Sequence, residues 1–229
     1  MAHEINLKKF SGNLPLFPLP NVVHFPQTIL PLHIFEKRYR QMLRDAMEGE
    51  KLIGMAVLKP GWEEKYQGNP EIYDVACLGR IIQHEPMNDG RSNILLLGLK
   101  RVKIQQIIVP YPYRVAKVDL MNDSTEGMKK ADLADFKNCL LNLYGEIVIE
   151  LADVQKELPP LSNADLTLSQ LCDAIAASLR FPTADMVYLL GETHVGKRAR
   201  FVQQKVEAML KKNTSTIISP HGSFKISLN

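Results

Sequence analysis

Residues 191–198, Gly-Glu-Thr-His-Val-Gly-Lys-Arg, come nearest to a set that could do chemistry. Two glycines separated by four residues and followed by Lys place backbone N–H groups and an ammonium around phosphate oxygens. The loop also needs a strand leading into it and a Ser or Thr after the Lys to hold magnesium. Arg198 stands at that Ser/Thr position, and residues 183–190 read as a short helix. The expectation is a helix ended by Gly191, then a basic first turn of the next helix, with no nucleotide or other cofactor. The six histidines are His3, His24, His33, His84, His194 and His221. His24 and His33 flank one strand segment and can approach each other, but a metal centre needs a further ligand and an orienting outer layer. No His-Glu-x-x-His segment occurs. Cys77, Cys139 and Cys172 are widely spaced in apolar surroundings and read as buried thiols, with no Cys-x-x-Cys pair to hold zinc. No metal site is expected. Lys197, Arg198, Arg200, Lys205, Lys211 and Lys212 give the last helix a basic face, read as solvated.

The elements that carry these residues divide the chain near residues 122–127. Strand signals dominate before that point and helix signals after it, which argues for α+β. Residues 14–17 and 28–32 read as short strands, and their prolines place them at sheet edges or interrupt them. A buried strand covers residues 52–59. Residues 74–84 and 92–99 form a hairpin around Asp89-Gly90, a step that favours a tight turn. Residues 100–109 and 113–120 add two strands bent at Pro110 and Pro112. So many antiparallel strands argue for a closed or partly closed barrel. Tyr39, Met42, Leu43, Ala46 and Met47 make one apolar helical stripe that Gly49 stops. Further helices run from Leu133 to Leu151, from Leu168 to Leu179, from Thr183 to Leu190 and through Val195 to Leu210, as in a short-looped bundle. The expected organisation is a β-rich part over residues 10–122 with one helix, a helical bundle over 123–212, and a tail or arm over 213–229.

The opening Leu14-Pro15-Leu16-Phe17-Pro18-Leu19, the Pro31-Leu32-His33-Ile34-Phe35-Glu36-Lys37-Arg38-Tyr39 segment and Leu52-Ile53-Gly54-Met55 occur in that order. Gly79-Arg80-Ile81-Ile82, Asp89-Gly90-Arg91, Leu97-Gly98-Leu99-Lys100-Arg101 and Pro112-Tyr113-Arg114-Val115-Ala116 follow. Together they resemble the Lon protease amino-terminal, substrate-binding domain, most specifically over residues 13–120, and the chain is similar to its stand-alone bacterial members. The resemblance implies a PUA-like β pseudo-barrel followed by a helical subdomain. It further implies recognition of unfolded proteins and degradation signals, and a part in oligomer assembly. It does not transmit catalysis: the Lon peptidase serine lies in an Asp-Gly-Pro-Ser-type motif on another domain, whereas Asp89-Gly90-Arg91-Ser92 lacks the proline and falls in a hairpin. The expectation is a non-enzyme.

Its partners are expected to be unfolded or specific protein segments, and a homo-oligomer is compatible with the resemblance. Candidate peptide contacts are Trp62, Tyr66 and Tyr73, together with Phe17, Phe25 and Phe35 along the proline-broken strands, for which core packing is the competing role. Glu36, Arg38 and Arg101 are read as structural groups or as the border of a groove, with Arg101 bridging the barrel to the first helix. A net charge of +3 over 229 residues argues against nucleic acid as a partner, so RNA binding by a PUA-like barrel, like an adaptor role in protein quality control, stands as the alternative reading. No signal peptide and no long apolar run is read, so the expected compartment is a reducing cytoplasm with no membrane contact.

Overall fold

The computed structural model describes residues 7, 10–65, 68–151, 158, 161 and 166–217. Among these residues it is an α+β structure of six strands and five α-helices, grouped into two compact units. The first unit holds residues 1–124 and 180–194; the second holds 125–179 and 195–229.

In the first unit, β1 (Asn13–Leu19), β2 (Ile29–Ile34), β3 (Leu52–Leu58), β4 (Ile72–Pro86), β5 (Ser92–Val109) and β6 (Arg114–Met121) form one sheet. Its order is β2-β5-β4-β3-β1-β6, and β5 also pairs with β6, so five strands close into a barrel with β2 as an appended edge. Leu14, Leu16, Ala56, Ala76, Leu78, Val102, Ala116 and Val118 form one fully apolar cluster. On the other faces of β1 and β3, Phe17, Ile53 and Met55 meet Tyr39, Met42, Leu43 and Ala46 of α1 (Lys37–Glu48). Period 2 in the strands and period 3.6 in the helix thus produce two layers of core.

Three features depart from the sequence reading. The two strands expected over 92–109 are one strand of 18 residues, which bends at register shifts opposite β4 and β6 and so serves two walls of the barrel. Proline-containing β2 is an edge strand, but β1 is internal. Its residues 13–16 pair with β6 and residues 16–19 with β3, so Pro15 and Pro18 each meet one neighbouring strand only. The β1–β3 pair is parallel, because the connection passes through β2 and α1 as a crossover requires.

The Asp89-Gly90 turn forms as read. Gly90 has φ +79, and the Asp89 side chain accepts from the Arg91 backbone N–H at 3.0 Å. Gly98 serves a close approach instead: a Cβ there would lie 2.1 Å from the Phe25 carbonyl oxygen. That space lets the loop between β1 and β2 dock on β5 through Gln27 N–H to Gly98 O (2.8 Å) and Gly98 N–H to Thr28 O (2.9 Å).

Helix α4 (Thr183–Gly191), grouped with the bundle in the sequence reading, packs on β4 and β5 within the first unit. Ser124 N–H donates to Thr193 O at 2.9 Å where the chain leaves and re-enters this unit.

The second unit is built from α2 (Lys130–Leu151), α3 (Leu168–Ser178) and α5 (Val195–Ile217), which contact one another pairwise. A capping box starts α3: Thr167 accepts from Gln170 N–H, and the Gln170 side chain accepts from Thr167 N–H. Arg198, assigned to the solvated basic face of α5, is in fact buried. Its guanidinium donates to Asp173 Oδ1 at 3.3 Å and to Ser169 Oγ at 2.8 Å. The residue standing where a phosphate loop needs Ser or Thr is committed to this ion pair, and helix α4 precedes it. The tail beyond residue 217 lies outside the described residues.

Gly145 lies within α2, and a Cβ there meets nothing within 4 Å. Gly145→Ala is therefore expected to stabilise the protein by about 0.5–1 kcal/mol, read as a rise in urea midpoint, through lower chain entropy in the unfolded state.

Candidate functional site

A cleft of about 860 Å³ opens on the first unit. Its walls are residues 35–39 with Gln41 and Arg44 at the start of α1, residues 68–70 before β4, and residues 110–114 at the bend from β5 to β6. Pro18 and Leu58 complete the lining. The large apolar groups here are open to solvent: Phe35 is 59% exposed and Tyr111, which precedes a cis proline, 83%. Tyr39 is the buried counterpart. Its ring centroid lies 4.4 Å from that of Phe17, and the Arg38 guanidinium sits 4.6 Å from its centroid. The start of α1 is thereby anchored to the core while Phe35 projects from it.

The polar groups are tied down by local bonds. Arg38 pairs with Glu36 at 3.0 Å. The Tyr113 hydroxyl donates to Asp45 Oδ2 at 2.5 Å, and Gln41 Nε2 donates to Asp45 Oδ1 at 2.6 Å. Partial burial pushes the Tyr113 pKa up to about 12, reinforced by the Asp45 carboxylate, so this phenol stays a neutral donor. Arg114 is buried, donating through Nε to Asn69 Oδ1 at 3.1 Å and through Nη2 to Pro70 O at 2.7 Å. Both acceptors are neutral. Burial lowers the Arg114 pKa; the nearby Tyr39 phenol opposes that shift and the smaller effect of the Arg38 charge adds to it. The cleft thus joins an exposed aromatic rim to a positive interior. Lys37 and Arg44 add two exposed cations, against Glu36 as the carboxylate in the lining.

Of the residues singled out in the sequence, Phe35, Glu36 and Arg38 come together in this cleft. Phe25 is fully buried and Phe17 is 5% exposed; both are core residues that present no surface to a partner. Trp62 and Tyr73 are half-buried and outside the cleft lining, while Tyr66 lies outside the described residues. Arg101 is buried, and its ion pair with Asp123 at 3.8 Å ties β5 to the segment after β6 rather than the barrel to α1. Tyr111, Tyr113, Arg114, Asn69 and Pro70 were not singled out. Their signal was the alternation Pro110-Tyr111-Pro112-Tyr113, which reads as a bend and turns out to be a wall.

The remaining chemistry-bearing groups are dispersed. His24 is buried with Nε2 3.1 Å from Thr28 O, whereas His33 is exposed and bonds Asn93 Oδ1 at 2.8 Å. Among the described residues no group of three His, Cys, Asp or Glu is placed to hold a metal ion. Cys77 and Cys172 are buried, Cys139 is half-buried, and no disulfide joins them. Ser92 is buried with its Oγ 3.1 Å from His84 Nε2, a cross-hairpin bond with no carboxylate bonded to the imidazole among the described residues, so it lacks the orienting third group of a nucleophilic triad. No helix among them is long and apolar enough to cross a membrane.

Comparison with known proteins fits this architecture. The family model described as the ATP-dependent protease La (LON) substrate-binding domain matches residues 13–207. The Lon protease of Anaeromyxobacter dehalogenans is 25% identical over 203 residues, covering 86% of this chain and 23% of that protein. The Lon protease of Dictyoglomus thermophilum is 28% identical over 145 residues, covering 63% and 18%. The chain spans about a quarter or less of the length of these curated relatives. Among solved structures, a Lon N-terminal domain protein from Xanthomonas campestris shares the fold with a TM-score of 0.60 at 21% identity, covering 87% of this chain and 97% of that one. The N-terminal domain of the Mycobacterium avium complex Lon protease does so with a TM-score of 0.61 at 17% identity, covering 85% and 98%. With the match running from β1 into α5, this chain belongs to the LON substrate-binding domain family.

Proposed function

We propose that this protein is a non-catalytic polypeptide-binding module whose contact surface is the cleft between the start of α1 and the β5–β6 bend. The observation that carries the reading is the exposure of Phe35 and Tyr111 at the mouth of a cleft of about 860 Å³. Large aromatic groups beside a preformed concavity supply contact area at low conformational cost, and such anchors dominate binding to protein partners. The Phe17–Tyr39 contact holds the α1 wall against the core, so the cleft is formed before a partner arrives. Family membership supports a protein ligand in place of a small metabolite. Trp62 and Tyr73 act in this reading as secondary contacts on the segment leading to and from residues 68–70. The compartment is a reducing cytoplasm, consistent with three cysteines joined by no disulfide.

The test is titration of fluorescently labelled β-casein, an unfolded polypeptide, against the wild type and Phe35→Ala/Tyr111→Ala. Both side chains are exposed, so the pair is expected to leave thermal stability nearly unchanged while weakening binding by about tenfold or more. Trp62→Ala is expected to weaken it by about threefold. Equal affinity of wild type and the double variant removes the cleft from the function.

A further inference from the structure

We propose that the cleft selects polypeptide segments carrying a carboxylate, seated on Arg114 with Arg38 beside it. The proposal rests on the cleft being the polypeptide site and names what that site reads.

Arg114 is 7% exposed and lines the cleft. A charge so far removed from water is costly unless an opposite charge compensates it. Among the described residues its acceptors are the Asn69 side-chain oxygen and the Pro70 carbonyl, bonded to Nε and Nη2. Among the described residues Nη1 receives no acceptor, and no carboxylate pairs with this guanidinium. Those two bonds fix the plane of the fork and leave one side of it for a ligand. Arg38, whose charge disfavours the Arg114 cation further, is tethered by Glu36 on the same rim. A carboxylate entering here meets a preoriented, partly desolvated guanidinium, where a charge-assisted bond is stronger than in water. Phe35 and Tyr111 then cover the apolar residues flanking the acid.

A nucleic-acid backbone fits less well. The buried Arg114 seats a single anion, the exposed cations Lys37 and Arg44 both lie on α1 and are not continued along residues 68–70 or 110–113, and Glu36 stands within the lining, whereas a phosphate track needs a continuous row of accessible cations.

The test uses the intact protein and three short fluorescein-labelled peptides of one composition. The first is blocked at both ends with a central Leu-Asp-Phe. The second carries Asn in place of Asp. The third is the Asn peptide shortened to end on Phe with a free carboxylate. We expect the wild type to bind the first, the third or both about tenfold more tightly than the second. Which of them gains tells whether the carboxylate comes from a side chain or from a chain end. Arg114→Met is expected to reduce that preference below about threefold, and Arg38→Gln to reduce it in part. Should Arg114→Met fail to fold, the wild-type comparison decides alone. Equal affinity for all three peptides overturns the carboxylate site while leaving a polypeptide cleft in place, provided Phe35→Ala still weakens all three. No binding of any peptide overturns both readings. Displacement of the acidic peptide by an equimolar uridine oligonucleotide also overturns the proposal in favour of a phosphate site.

Discussion

Asp173→Ala is expected to destabilise the helical unit by about 3–5 kcal/mol, read as a fall in the urea midpoint of the helical circular-dichroism signal. Asp173 and Arg198 have side chains 2% and 0% exposed, on α3 and α5. Removing the carboxylate takes the Asp173 charge away from a guanidinium in the core and leaves its bond to the Ser169 hydroxyl. The cost is that of breaking a buried ion pair, several times what an exposed ion pair contributes. A control separates this from loss of packing. Asp173→Leu/Arg198→Met replaces both charges by apolar groups of comparable size and is expected to stay within about 2 kcal/mol of the wild type. Because the pair is buried, molar salt should leave the Asp173→Ala deficit nearly unchanged, whereas a surface pair would be screened. A deficit below about 1 kcal/mol would show that the pair is solvated and that Arg198 does not hold α3 to α5.

Arg198 also marks where the sequence stops being legible. The chain shows a basic residue in a run of basic residues at the start of a helix, and helical periodicity alone does not exclude a solvent-facing position. Its partner is 25 residues away on another helix, and such a pairing leaves no local trace. The same limit applies to α4. Its 3.6-residue pattern is readable, but whether that apolar face meets helices or a sheet depends on the path of the chain, which leaves the barrel at Ser124 and returns at Arg180. Elements with strong local rules were readable: the Asp89-Gly90 hairpin, the α1 stripe, and the helix stop at Gly191. The candidate site was half readable. Phe35, Glu36 and Arg38 belong to one helix entry and were found together, while Arg114 and Tyr111 reach the cleft only through barrel closure between β5 and β6. Phe17 and Phe25 lie among prolines, and the sequence left groove contact and core packing as competing roles for them. Phe17 fills the α1 layer of the core, and Phe25, in the loop between β1 and β2, is fully buried with its carbonyl close to Gly98.

That loop carries the second large effect, a dependence of stability on acid. His24 is 3% exposed, its Nε2 lies 3.1 Å from Thr28 O, and its Nδ1 has no partner among the described residues. Nε2 therefore holds the proton and donates it, leaving Nδ1 bare. Protonating Nδ1 would place a charged N–H in an apolar site with no acceptor. Burial accordingly lowers the His24 pKa from 6.5 to about 4, with the bond to Thr28 acting in the opposite direction. Above the unfolded value both states are neutral, and this residue adds no pH dependence. Between that value and about 4 the unfolded chain binds a proton that the folded chain refuses, so stability falls as pH falls, and the loss levels off once the folded imidazole also titrates. From about pH 7 to about pH 4.5 the loss assigned to His24 is about 2.5 kcal/mol. His24→Gln keeps an N–H for Thr28 O and has no titrating group, so the wild-type-minus-variant difference in urea unfolding energy isolates this contribution from the carboxylates. The difference is expected to shift against the wild type on acidification by that amount. If it stays constant across this range, His24 is hydrated in the folded protein, and the β1–β2 loop does not seal over β5 as described.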